Sequence, residues 1–78
     1  MAEFAPVTTI EDLMSLDTVE MVDGYWDGWH GVPEPGNNRS RAYWHGWRNG
    51  AADAGHREKD AYQVELVRAF VAFRRRAA

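Results

Sequence analysis

The chain has 78 residues, no cysteine and a net charge of −3. That limits it to one modest core and excludes disulfide staples, thiolate zinc sites and thiol nucleophiles. A chain this short buries a small share of its surface, so its four Trp, three Tyr and three Phe are the expected core fillers.

Residues 1–7 read as a disordered N-terminal tail, and residues 8–78 as a single helical domain. The opening Met1-Ala2-Glu3-Phe4-Ala5-Pro6 is acidic where a secretory leader is basic, and no apolar h-region follows. No apolar run approaches the roughly 20 residues of a membrane helix. A cytoplasmic protein without a membrane partner is therefore expected. Thr8 with Glu11 has capping-box spacing and opens a short helix through Met14. Asp17-Thr18-Val19-Glu20 restarts the chain as a second helix that runs to about His30. Val22, Tyr25, Trp26 and Trp29 on it fall at i, i+3, i+4 and i+7, one face of a 3.6-residue period. Gly31 suits a left-handed C-cap, and Pro33 cannot continue the helix.

After the turn-rich loop Gly31–Asn38 a new helix starts near Asn38 or Ser40 and ends near Ala54, with Gly55 as its C-cap. Residues 17–55 thus read as a helical hairpin. Asp60-Ala61-Tyr62-Gln63 repeats the capping-box pattern and opens a C-terminal helix over 60–76. It carries a broad stripe of Val64, Leu66, Val67, Phe70, Val71 and Phe73. Arg74, Arg75 and Arg76 complement the negative end of its dipole. Alternating strand patterns are lacking. The fold class is all-α: a small domain of three to four helices built on a helix-loop-helix hairpin, with the last helix covering it.

Tyr25-Trp26-Asp27-Gly28-Trp29 recurs as Tyr43-Trp44-His45-Gly46-Trp47 at an offset of 18 residues. Glycine inside a helix costs about 1 kcal/mol against alanine, so several together need compensation. Gly24 and Gly28 lie four apart on one arm; Ala42, Gly46, Gly50 and Ala54 form a ridge on the other. Such ridges let helices approach closely. The arms are expected to cross glycine against aromatic, with the aromatics packed inside; a ligand-stacking role is the alternative.

The charge is uneven. Residues 1–27 hold seven acids and no Lys or Arg, and the remainder holds nine basic residues and five acids. Either a basic nucleic-acid face occupies the second half, or acidic and basic elements pack side by side. Arg39, Arg41 and Arg48, interleaved with Tyr43 and Trp47, are the candidate contacts for RNA, since arginine pairs with phosphates and aromatic rings stack on unpaired bases. The competing reading is a solvated basic face. Asp27 and His30 are one turn apart, but the three histidines lack a second close pair, so no metal and no other cofactor is expected. No triad or phosphate-loop pattern occurs, and a domain this small has little room for a catalytic pocket. It reads as a binding protein rather than an enzyme, with no small-molecule substrate.

Gly24-Tyr25-x-x-Gly28-x-x-Gly31, a Pro-containing loop and then Tyr43-x-x-Gly46-Trp47-Arg48 resemble the ribosome modulation factor family over about residues 22–52. The structural motif is Gly24, Tyr25, Gly28, Trp29 and Gly46. The resemblance implies a helix–loop–helix in a small bacterial protein that regulates translation by binding the ribosome near ribosomal RNA, as hibernation factors do. The chain differs from the family in having no basic N-terminal arm, a shorter loop and an added C-terminal helix. The rival expectation is a protein–protein interaction module whose partner is another protein or itself. It would form a homodimer through the C-terminal helix, which carries apolar residues on more than one face.

Overall fold

The computed structural model describes residues 4–77, and among them the regular structure is helical throughout. Four helices follow in order: α1 (Ile10–Met14), α2 (Thr18–Trp29), α3 (Arg41–Asp53) and α4 (Ala61–Ala77). Each start has a side-chain cap that takes an otherwise orphaned backbone N–H. Asp17 accepts from the Glu20 N–H at 3.1 Å and Ser40 from the Tyr43 N–H at 3.1 Å. At α4 the box is reciprocal: the Gln63 N–H donates to Asp60 and the Asp60 N–H to Gln63. The cap of α1 is one residue later than the sequence suggests, because Thr9, not Thr8, accepts from the Asp12 N–H. Gly31 and Gly55 follow α2 and α3 with φ of +83° and +84°, the left-handed conformation that suits glycine after a helix.

The α2–α3 pair is not a hairpin in the antiparallel sense. A Cβ at Gly24 would strike the Tyr43 carbonyl, and one at Gly28 the Trp47 carbonyl; Gly46 lies in the same way on Met21, and Gly50 on Tyr25. Contacts advance along both helices together, so α2 and α3 run parallel. The four glycines interlock two backbones, each Gly-x-x-x-Gly seated on the carbonyls of the other helix. The equivalent positions are Gly24 with Gly46 and Gly28 with Gly50, an offset of 22. The 18-residue repeat in the sequence is therefore not the structural one. The expected glycine-against-aromatic crossing holds for Tyr25, Tyr43 and Trp47 through their backbone, with Met21 in the fourth place.

A parallel pair needs a return path, and residues 30–40 supply it along the outer side of α3. The Trp47 indole N–H donates to the Val32 carbonyl at 2.7 Å, and the Trp44 indole N–H to Glu34 at 3.2 Å. Pro35, within this strap, is buried. The N-terminal segment lies against the same side. Residues 4–7, expected to be part of a loose tail, are instead docked: Phe4 packs on Trp44 with ring centroids 5.7 Å apart, and Val7 is buried. The Arg41 guanidinium, seated between the Ala5 and Pro6 carbonyls and Asp12, explains the order. Residues 1–3 lie outside the described residues. Enclosed by α2, the strap and the N-terminal segment, α3 is buried continuously from Ala42 to Arg48 and again at Gly50 and Ala51.

The last helix does not cover the pair as expected. It is pinned at its first turn, where Gln63 donates to Asn49 at 3.3 Å and Asp60 pairs with Arg48, and it then runs beside α1. An open cleft of about 400 Å³ separates α1 from α4, between Thr9 and Ile10 on one side and Ala69, Ala72 and Phe73 on the other.

Candidate functional site

The candidate RNA contacts do not form one surface. Tyr43, Trp47 and Arg48 are buried, with Arg48 only 4% exposed. The Tyr43 hydroxyl donates to Asp27, and burial together with that carboxylate pushes its pKa up to about 12. Arg48 pairs with Asp60 and lies over the Trp44 ring, its guanidinium carbon 4.4 Å from the centroid. Burial and the neighbouring Arg57 both press its pKa downward. Arg41 holds Asp12 at 2.5 Å, keeping that carboxyl below its ordinary range. Arg39 alone of the five is exposed, and it stacks 3.7 Å above the Tyr43 ring. The correction has one physical cause. In a central helix every face meets protein, so the arginines at 41 and 48 serve as partners for Asp12 and Asp60 instead of facing solvent.

Between these two arginines sits His45, 6% exposed. The Asn49 amide donates to the His45 carbonyl and lies 3.3 Å from Nε2, a geometry that suits a neutral ring with Nε2 accepting. Burial first, then the charges of Arg48 and Arg41, press its pKa from 6.5 to about 4, against a small opposing pull from Asp12. Between these two values the unfolded chain binds a proton that the folded chain refuses. Stability is therefore complete above about pH 6.5 and falls by about 3 kcal/mol on descending to pH 4. Denaturant titrations at several pH values should show this slope in the wild type and a flatter one in His45→Gln. An equal slope in the variant would assign the acid sensitivity to other groups.

Large apolar groups also face solvent. On α2 the glycine face is turned to α3, which leaves Val19, Val22, Trp26 and Trp29 on the opposite side, 40–71% exposed. The stripe of Val22, Trp26 and Trp29 that the periodicity singles out is thus the outer face of α2, and only Tyr25 of that set turns toward α3. Its hydroxyl donates to Asp53 at 2.8 Å, and its ring stacks on Trp29 at 6.3 Å. On α4, Val64, Val67, Phe70, Val71 and Phe73 are 39–53% exposed. Together these side chains give both helices exposed apolar surface. Sequence reasoning found both stripes but expected the aromatics of α2 to pack inside, whereas Trp26 and Trp29 face outward. The available signal was the Gly24-x-x-x-Gly28 spacing, which claims the buried face for itself.

The fold is that of a small all-α protein. Among the described residues no helix is long and apolar enough to cross a membrane, and no group of three or more His, Asp or Glu side chains is arranged to hold a metal ion. Comparison of the chain with protein-family models, with characterised proteins and with solved structures finds no match.

Proposed function

We propose that the protein is a non-catalytic interaction module that offers the apolar side of α4 to a protein partner. The observation that carries this reading is the exposure of Val64, Val67, Phe70, Val71 and Phe73 on a helix anchored mainly at its first turn. The interlocked α2–α3 pair is then the rigid base from which that helix is presented. Capture from a cell lysate by the tagged full chain, with and without nuclease, tests it. Nuclease-resistant protein should be retained by the wild type and lost with Val67→Glu/Val71→Glu. Retention that is wholly nuclease-sensitive, or unchanged in the variant, would overturn it.

A ribosome-associated modulator near ribosomal RNA is the second reading, supported by the resemblance to ribosome modulation factors. The residues that carry it, Gly24, Tyr25, Gly28, Gly46 and Trp47, form one packed unit on α2 and α3. They act there as a folding device, so the likeness bears on architecture more than on a contact surface. Exposed cations available for phosphate include Arg39, Lys59 and the arginines of α4. Co-sedimentation with ribosomes at low and moderate salt decides: absence from the ribosomal fraction at both ends this reading.

A further inference from the structure

We infer that His45 is an acid-sensitive latch: a proton taken up at its Nε2 releases α4 from α3 while the α2–α3 pair stays closed. The attachment of α4 is thin. Two polar contacts join its first turn to α3, Gln63 to Asn49 and Asp60 to Arg48. Beyond that turn the helix runs beside α1 across the open cleft. Residues 55–60 link α3 to α4 as a short and largely exposed connection, and a Cβ at Gly55 would meet nothing within 4 Å.

The contact with Asn49 is one link in a hydrogen-bond chain of fixed direction. The Asp60 backbone N–H donates to Gln63 Oε1 at 3.1 Å, and the Gln63 amide donates to Asn49 Oδ1 at 3.3 Å. The Asn49 amide nitrogen then reaches His45 Nε2 at 3.3 Å. A main-chain N–H only donates, so each amide is oriented from the α4 end and the chain must finish on a lone pair. Neutral His45 with its proton on Nδ1 supplies that lone pair. A proton on Nε2 sets N–H against N–H. Turning the Asn49 amide over would offer its oxygen to the ring, but it gives up the bond to the His45 carbonyl and aims nitrogen at the Gln63 nitrogen. Gln63 cannot follow, because its oxygen is held by the Asp60 N–H. The conflict is relieved by parting Gln63 from Asn49.

No neighbouring carboxylate stands ready to take the new charge. The charges that act on His45 are Arg48 and Arg41 from α3 and Asp12 from α1. Asp12 is engaged by Arg41, and Asp60, at the start of α4, by Arg48. On the α2 side the ring borders a hollow with Met21, Val22 and Tyr25, and the Tyr25 hydroxyl already donates to Asp53. Burial and the two arginines keep the ring neutral down to about pH 4 while α4 is attached. His45 lies between Arg41, tied to α1, and Asn49, tied to α4, so departure of α4 opens one flank of the ring to water. There it takes a proton near its ordinary pH of 6.5. Attachment is therefore at full strength above about pH 6.5, and the released form gains on the order of a hundredfold by pH 4. The glycine contacts of α2 with α3 involve no titrating group. Release bares Ala69, Ala72 and Phe73, which line the cleft against α1, whatever α4 docks.

Amide hydrogen exchange of the full chain between pH 7 and pH 4, corrected for intrinsic exchange at each pH, tests this. A single detached helix is marginal in water, so release shows as lost protection. In the wild type the α4 amides should lose on the order of a hundredfold in protection, and those of residues 47–51 in α3 far less. In His45→Gln, whose side-chain oxygen accepts from Asn49 but takes no proton, α4 protection should stay flat. Imidazole nitrogen NMR of the wild type at pH 7 should find the proton on Nδ1 and none on Nε2. An equal fall in α4 protection in His45→Gln overturns the proposal. So does a loss shared equally by α3 and α4, or an Nε2–H ring at neutral pH; both are read on the wild type and stand even where the variant fails to fold.

Discussion

Gly46→Ala and Gly50→Ala are each expected to destabilise the fold by about 3 kcal/mol or more, although alanine is the better helix former by about 1 kcal/mol. The sign follows from geometry. A methyl at Gly46 would overlap the Met21 carbonyl and one at Gly50 the Tyr25 carbonyl, both rigid backbone inside a helix. No side-chain rotation relieves either clash, so α2 and α3 must separate, and the indole and phenol contacts on both flanks loosen with them. Against a total stability of about 5 kcal/mol, the lower end for globular domains, such a loss leaves much of the protein unfolded. Gly36→Ala is the control: its nearest neighbour would be the Asn38 Oδ1 at 3.6 Å, an ordinary contact. Urea titrations of the three variants check the prediction. A midpoint for Gly50→Ala equal to or above the wild type would mean that the helices do not need their close approach.

Asp60→Asn is expected to cost about 3–5 kcal/mol, because it strands the Arg48 guanidinium in a site where its side chain is 5% exposed. Asparagine keeps the capping interaction with the Gln63 N–H, so this loss reports charge alone. Asp60→Ala adds about 1 kcal/mol for the missing cap. Arg48→Met should cost far less than Asp60→Asn, since an apolar chain of similar length can remain against Trp44 while Asp60, 32% exposed, keeps its water. The double variant should then resemble Arg48→Met. If Asp60→Asn and Arg48→Met were equally harmful, the pair would be acting through something other than an abandoned buried charge. Thermal and chemical denaturation of the four variants give the comparison.

Much of the chain's local structure is legible in its residues because helix ends advertise themselves. Asp17, Ser40 and the Asp60/Gln63 box mark three starts, and Gly31 and Gly55 mark two stops. The close approach of α2 and α3 was legible as well, in glycines four apart. Their relative direction was not. Spacing within a helix identifies a face but carries no sign for the neighbour's direction, and the matching Tyr-Trp-x-Gly-Trp words pointed to the wrong offset. Nor did spacing show that Arg48 would be enclosed. That depends on α3 lying at the centre, with the strap and Phe4 folded over Trp44. The α4 stripe was visible as a 3.6-residue pattern, yet the same pattern fits a helix that covers a core and one that stands clear of it. Only the anchoring of Asp60 and Gln63 at the first turn distinguishes them.

The parallel course of α2 and α3 has a consequence for how the chain can evolve and fold. Two neighbouring helices that point the same way cannot zip together outward from a tight turn, because every clasped residue meets a partner 19 to 25 positions away in sequence. The connector must first carry the chain back along a helix about 18 Å long, and residues 30–40 reach about 36 Å when extended. Roughly half that length is slack. Insertions in the strap should therefore be absorbed at small entropic cost. Trimming it below about six residues would forbid the return journey and force the second helix to reverse, putting its two glycines out of step with the first.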